Sequence, residues 1–198
     1  MMKWYLLYFL FLNALAGYAQ NREPVYDRYL DYNLARFEGR SAQAFEMGKE
    51  LLSSADSLPA NTRIAFYSSI GKLYEDNNQP DNAIFYDEKV ATAVPDYYVA
   101  RRALGYLYLE TVNELQAKLD ATPENTPDYR NLQVSYKAAA LKALPHLEKA
   151  QACDPSPETL AIIKNLYTQI ADTAALNTLN ARLTTLSKNC LDILSDVP

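Results

Sequence analysis

Few side chains in this sequence are of types that carry out chemistry at short range. Among 198 residues there is one His, His146, and there are two Cys, Cys153 and Cys190. An acid/base relay or a tetrahedral metal site draws on several such groups at helix or loop spacing. His146 has no second His, no Cys within a few residues and no nucleophile beside it, so it reads as a residue on a helix surface or edge. Glu88-Lys89 and Glu148-Lys149 occur in matching contexts and read as one structural feature used twice, not as paired catalytic carboxylates. Asp120, Glu124 and Asp128 gather around a turn, where a weak cation site is one reading and a solvated turn the better supported one. The two Cys allow one bridge, but a chain of this size does not need it, and they read as small apolar residues near helix ends. The expectation is no catalytic residue, no metal and no cofactor.

The composition agrees. Five Gly leave little material for phosphate-cradling loops, and a formal charge of −5 argues against a nucleic-acid partner. At 49% apolar and 22% charged the chain can bury a real core. Its outlying feature is 16 Tyr, which read mostly as core or inter-helix filler, with an aromatic groove for a carbohydrate as the alternative. The N-terminus reads as an export signal: Lys3, an apolar run from Trp4 to Leu12, then Gly17-Tyr18-Ala19. Cleavage after Ala19 predicts a mature chain in the periplasm, with no membrane span left after the cut. The signal is similar to those of exported proteins of Bacteroidetes-type bacteria. Asp56-Ser57-Leu58 and Asp172-Thr173-Ala174 resemble the sites where such bacteria attach O-glycans, but capping preferences of Asp, Ser and Thr explain them equally.

The elements that must position any site are helices. Apolar residues recur at three- and four-residue spacing, and no segment shows sustained period-2 alternation. Breaks at Gly39-Arg40-Ser41, Leu58-Pro59-Ala60, Asn77 to Pro80, Val94-Pro95-Asp96, Thr122 to Pro127, Asp154 to Pro157 and around Asp172 divide residues 24–192 into eight helical segments. The fold class is all-α. Within it, Ala83 to Asp96 aligns without gaps to Ala143 to Ser156. Glu88 matches Glu148, Lys89 matches Lys149 and Pro95 matches Pro155. Upstream, Ile70-Gly71 with Tyr74 and Leu104-Gly105 with Tyr108 repeat an aliphatic-Gly pair followed by Tyr three residues later.

This pattern resembles the tetratricopeptide repeat, a 34-residue helix-turn-helix unit. With Ile64 as position 1, Tyr67, Gly71, Tyr74, Ala83 and Pro95 fall on its marked positions, while Asp87 stands at position 24 where a large residue is usual. A second copy starts at Tyr98, with Gly105, Tyr108, Ala143 and Pro155 in register. A degenerate third covers residues 157–191, and an irregular helix pair covers 24–56. Residues 20–198 thus read as one domain: a stack of antiparallel helix pairs, with residues 64–97 and 98–156 as its better repeats. Gly at position 8 and Ala at position 20 are expected to face each other where the two helices cross.

The second copy carries an insertion at about 110–137. Leu109, Val112, Leu115 and Leu119 form one helical stripe, and Leu132, Tyr136, Ala139 and Ala143 form another. Both helices are expected to lengthen into a projecting arm, with a kink at Pro145. The resemblance implies a protein or peptide partner bound in a groove lined by the first helix of each unit. By repeat position that groove receives Ser68, Lys72, Glu75 and Asp76, then Arg102, Tyr106 and Glu110, then Asn165. Lys72, Arg102 and Tyr106 come first, because Tyr and Arg are enriched among binding hot spots. A carbohydrate-handling or enzyme-accessory module, and a structural oligomerising subunit, are the alternatives. In the last helix, Leu176, Leu179, Leu183 and Leu186 make one face, expected to be covered by the helix of Tyr167.

Overall fold

The computed structural model describes residues 24–194; the expected signal segment, residues 1–19, lies outside them. The described residues are all-α, with eight helices and one isolated bridge between Tyr97 and Leu191. They fall into two compact units, dividing after Pro59. In the first, α1 (Pro24–Phe37) packs against α2 (Ser41–Leu52), and a single 3-10 turn (Ala55–Ser57) follows. Gly39, at φ +74°, makes the reversal between the two helices.

The second unit holds α3 (Ala60–Asp76), α4 (Pro80–Ala93), α5 (Tyr98–Asp120), α6 (Pro127–Cys153), α7 (Pro157–Gln169) and α8 (Thr173–Leu186). They pair as α3 with α4, α5 with α6 and α7 with α8, while α4 also packs on α5, and α6 on both α7 and α8. Local chemistry sets the boundaries. Pro80, Pro127 and Pro157 each open a helix, where their missing N–H costs nothing. The side chains of Thr126, Ser156 and Asp172 accept from Tyr129, Thr159 and Ala175 backbone N–H groups as N-caps. Asp172 is thereby accounted for as a cap. α3 and α7 end in left-handed residues, Asn78 at φ 55° and Ala171 at φ 54°. There the N–H of Gln79 returns to the Tyr74 carbonyl and that of Asp172 to the Tyr167 carbonyl.

One buried core runs through this unit, from Val90 and Leu104 through Ala143, Leu144 and Leu147 to Ile163 and Leu179. Leu176 and Leu183 pack against it, so the apolar face of α8 is turned inward. α6 runs unbroken through Pro145, which deprives the Leu141 carbonyl of its ordinary helical donor.

Three expectations change in detail. The close neighbour of each helix-crossing glycine is not the Ala at position 20. A Cβ on Gly71 would lie 3.1 Å from Asp87 Oδ1, and one on Gly105 would lie 2.8 Å from Leu147 Cδ2 and 3.1 Å from Leu147 N. Both neighbours stand at position 24, one turn further along the same face. Ala83 and Ala143 are buried beside them. The extended α5–α6 hairpin does not project along its whole added length, because the end of α7 comes alongside it, where Gln169, Ile170 and Ala171 line a cavity with Gln116, Leu119 and Tyr136, and Leu119 and Tyr136 belong to the common core. Finally, Cys153 and Cys190 are bonded to each other, joining the end of α6 to the segment after α8. They lie 37 residues apart, and only the antiparallel return of α8 brings them together.

The two glycines are expected to respond differently to a methyl group. Gly105→Ala pushes Cβ against the Leu147 backbone and is expected to destabilise by about 1–2 kcal/mol, an overpacking cost that outweighs the ~1 kcal/mol gain in helix propensity. Gly71→Ala meets side-chain atoms alone, Asp87 Oδ1 nearest and Asp87 Cγ and Tyr86 Cβ at ordinary contact, and is expected to stay within about 1 kcal/mol of the parent. Urea unfolding of the two variants side by side measures the difference, and equal midpoints would contradict the register assigned to α5 and α6.

Candidate functional site

The side chains that the repeat pattern assigns to a groove fall into two groups. On α3, Lys72 bonds Asp76 and lies 3.7 Å from Glu75, so these three satisfy one another along one exposed face. Ser68 reaches only the Tyr97 hydroxyl, at 3.5 Å. On α5, Arg102 pairs with Asp154 at 2.8 Å and Tyr106 bonds the Thr159 hydroxyl at 2.7 Å. These two contacts tie α5 to the α6–α7 connection and to the first turn of α7. Tyr106 stays 39% exposed, and Glu110 is exposed as well.

Asn165 stands in a different setting. With Leu109, Val112, Ile162 and Leu166 it lines a cavity of about 340 Å³ between α5 and α7. Asn113, Gln116, Tyr136 and Gln169 complete the lining. Tyr136 is marked in sequence only as part of the apolar stripe of its helix and the other three are not singled out, since nothing local says that the end of α7 will come alongside the extension of α5. The i, i+3/i+4 pattern does place Asn113 and Gln116 beside the apolar stripe of Leu109 and Val112.

The polar groups behind this face form two copies of one arrangement. The Tyr167 hydroxyl donates to Glu148 Oε1 at 2.6 Å. Arg182 meets the same carboxylate through Nη2 and Nε at 2.6 and 3.0 Å, with its guanidinium 5.3 Å from the Tyr167 ring centroid. One pair earlier, the Tyr108 hydroxyl donates to Glu88. Lys142 Nζ lies 3.6 Å from that carboxylate and 4.2 Å from the Tyr108 ring centroid. In each copy a Glu from the second helix of one pair takes the Tyr of the next pair's first helix, and a cation from that pair's second helix covers both. Burial, and then the bond to Glu148, pushes the Tyr167 hydroxyl up to about 12; burial and Glu88 raise Tyr108 in the same way.

The neighbouring lysines do not repeat. Lys149 is buried, donating to Asp96 Oδ1 at 3.0 Å and to the Leu186 and Asn189 carbonyls. Lys89 instead lies over the rings of Phe85 and Tyr67. His146 is not a free surface residue either. It is half-buried, with Nδ1 3.5 Å from Arg101 Nη1 and its ring 5.6 Å from that of Tyr108. Burial and the Arg101 charge hold its imidazole down at about 4, which keeps it neutral at ordinary pH.

Asp87 is the least satisfied group among the described residues. It is 3% exposed, and its Oδ2 has no hydrogen-bond partner. Burial and then the nearby Glu75 carboxylate push its carboxyl up to about 7, against the opposing pull of Lys72.

No group of three or more His, Cys, Asp or Glu among the described residues could hold a metal ion, and no described helix is long and apolar enough to cross a membrane. The described residues make an all-α protein of successive helix pairs. No protein-family model matches this chain, and no curated protein matches it.

Proposed function

We propose that this chain is a non-enzymatic, exported scaffold of tetratricopeptide-like helix pairs that binds a protein or peptide partner, with no cofactor, on the face made by α3, α5 and α7. The observation that carries the reading is the doubled Glu–Tyr–cation arrangement, Glu88–Tyr108–Lys142 and Glu148–Tyr167–Arg182. The same Glu–Tyr contact between pairs, made twice at matching repeat positions and each time joined by a cation from a different position of the next helix, is what a stack of similar units requires, and such stacks present extended binding surfaces. On that face Arg102 and Tyr106 combine charge, hydrogen bonding and aromatic area at partly exposed positions. Two features support export to the periplasm: the N-terminal signal-like segment and the Cys153–Cys190 bond, since disulfides persist in oxidising compartments.

Affinity capture from periplasmic extract, comparing the parent with Arg102→Ala/Tyr106→Ala, tests the reading. The expected result is a specific partner retained by the parent and weakened about tenfold or more in the variant, as for the loss of hot-spot side chains. A partner retained equally by both proteins would remove this face from consideration. Binding to neutral glycans alone would favour the carbohydrate-handling alternative.

A further inference from the structure

The insertion in the α5–α6 hairpin supplies residues that the shorter α3–α4 hairpin has no counterpart for. α3 ends at Asp76, two residues after Tyr74, whereas α5 continues past the matching point at Glu110 for about three more turns, to Asp120. On this added part Gln116 and Leu119 share a face of α5, and Tyr129, Gln133, Tyr136 and Lys137 share a face of α6, at three- and four-residue spacing. Gln169 and Ile170, at the end of α7, close the space between them into a cavity of about 300 Å³. That is at the small end of the roughly 300–1,000 Å³ range of small-molecule sites. Tyr136 is 5% exposed, and its hydroxyl makes no hydrogen bond among the described residues. The only fully enclosed side-chain polar atom without a partner among those residues is Asp87 Oδ2, so the Tyr136 hydroxyl opens on the cavity. Burial, and then the Asp120 carboxylate, raise its pKa above the ordinary value, so it keeps its proton and donates. Carboxamides reach the same space from three helices, Gln116, Gln133 and Gln169. Asp120 itself stands outside the lining and accepts from Gln116 Nε2 at 2.7 Å, which leaves Gln116 Oε1 to accept from a ligand. Lys137 is exposed, forms no ion pair among the described residues and is the one charged side chain of the lining.

We infer that this cavity binds a small hydroxylated carboxylate, a sugar acid of the hexuronate or aldonate class, with its carboxylate on the Lys137 ammonium and its hydroxyls on the Tyr136 hydroxyl and the three carboxamides. A hydroxyl both donates and accepts, as a carboxamide does, so each such pair is satisfied in either orientation. Leu119, Ile170 and Tyr129 supply apolar surface for the C–H faces between the hydroxyls. A phosphate ester would bring nearly two charges to a single ammonium, with Asp120 close by and no Arg in the lining to take it bidentately. The ammonium of a free amino acid would need a carboxylate in the lining, and Asp120 is outside it and engaged by Gln116. A neutral sugar would make the hydroxyl contacts and leave Lys137 unused. The cavity shares no residue with the Arg102–Tyr106 surface, so this inference stands apart from the polypeptide partner proposed above.

Isothermal titration of the full mature chain with glucuronate, galacturonate and gluconate, beside glucose, galactose, a hexose phosphate and free alanine, tests it. At least one of the acids is expected to bind about tenfold or more tighter than the neutral sugars, as for one charge-assisted hydrogen bond added to the same hydroxyl contacts. Its affinity is expected to fall between about 50 and about 500 mM NaCl. Lys137→Gln, at an exposed position, is expected to bring that acid down to the affinity of the neutral sugars. Tyr136→Phe is expected to weaken acids and neutral sugars alike by about three- to tenfold at the parental melting temperature. Gln133→Ala, at an exposed position, replaces it if Tyr136→Phe shifts the melting temperature, and Arg102→Ala/Tyr106→Ala is expected to leave acid binding unchanged. Equal affinity for neutral sugars, preference for the phosphate ester or for alanine, acid binding that Lys137→Gln leaves intact, or no binding of any of the three acids would each overturn the inference.

Discussion

Replacing Asp87 by Leu is expected to stabilise the protein by about 5–6 kcal/mol at about pH 8, where the parent must keep a carboxylate charged inside the α3–α4 crossing. The carboxyl has nothing to gain there. Its Oδ2 is unbonded, its Oδ1 lies against Gly71, and Glu75 outweighs Lys72 among the charges that face it from α3. The sign follows from which state holds the proton. The folded carboxyl titrates at about 7 against an ordinary 3.8 in the unfolded chain, so between those values the native state binds a proton that the unfolded chain has released. Stability from this group is fully present below about pH 4, falls as pH rises through about 7, and is flat above that. The total is about 4 kcal/mol, because each tenfold difference in proton affinity between the two states is worth ~1.4 kcal/mol.

Leu is the informative replacement because Leu147 already occupies the equivalent place beside Gly105. It should erase the pH dependence and leave only a small gain from apolar burial, about 1–2 kcal/mol, at about pH 4 where Asp87 is neutral. Asp87→Asn should also erase the dependence but keep a polar group with no partner, and so gain less. Urea unfolding at the two pH values reads both effects. A Leu variant whose advantage over the parent is the same at both would show that Asp87 stays ionised and solvated in the folded state.

How much of this is legible in the sequence depends on which kind of information a residue carries. Helix boundaries are, because Pro80, Pro127, Pro157 and the caps at Thr126, Ser156 and Asp172 act through their own backbone and next few neighbours. Periodicity also identifies the faces that meet, as in the inward side of α8. It does not carry the axial register between helices, because residues one turn apart share a face. Gly71 and Gly105 therefore meet position 24 where the repeat pattern points to position 20. The hairpin reads as projecting because nothing in residues 110–137 reports how far α7 reaches along it, and Asn113 and Gln169 escape notice for the same reason. His146 reads as an edge residue because its partners, Arg101 and Tyr108, come from the preceding helix of the pair. Asp87 is visible as a departure from the repeat, but its isolation becomes visible only with the α3–α4 crossing in place.

Removing the Cys153–Cys190 bond is the other substitution with a large expected effect. The segment after α8 is held at three kinds of contact: the disulfide to the end of α6, the Lys149 ammonium donating to the Leu186 and Asn189 carbonyls, and backbone bonds to the α4–α5 connection. In the last, Tyr98 N donates to Leu191 O at 3.1 Å and Leu191 N to Asp96 O at 2.9 Å. Because the bond closes a loop of 37 residues that contains all of α7 and α8, it restricts the unfolded chain far more than the folded one. The loop-entropy relation gives about 4 kcal/mol for a loop of that size, or a fall in melting temperature of about 8–16 °C for a chain of this length. Cys153→Ser/Cys190→Ser, and the parent under reducing conditions, should show the same loss. Cleavage by trypsin after Lys188 should also become faster, because the remaining contacts hold only a short exposed segment. Lys149→Met separates the contributions. It leaves the loop closed but strips two backbone carbonyls of their donor and the Asp96 carboxylate of its buried cation, so it should cost about 2–3 kcal/mol in the oxidised protein. A double Ser variant that melts with the oxidised parent would mean that this lysine and the Tyr98–Leu191 pairing, not the covalent bond, hold the end of the chain in place.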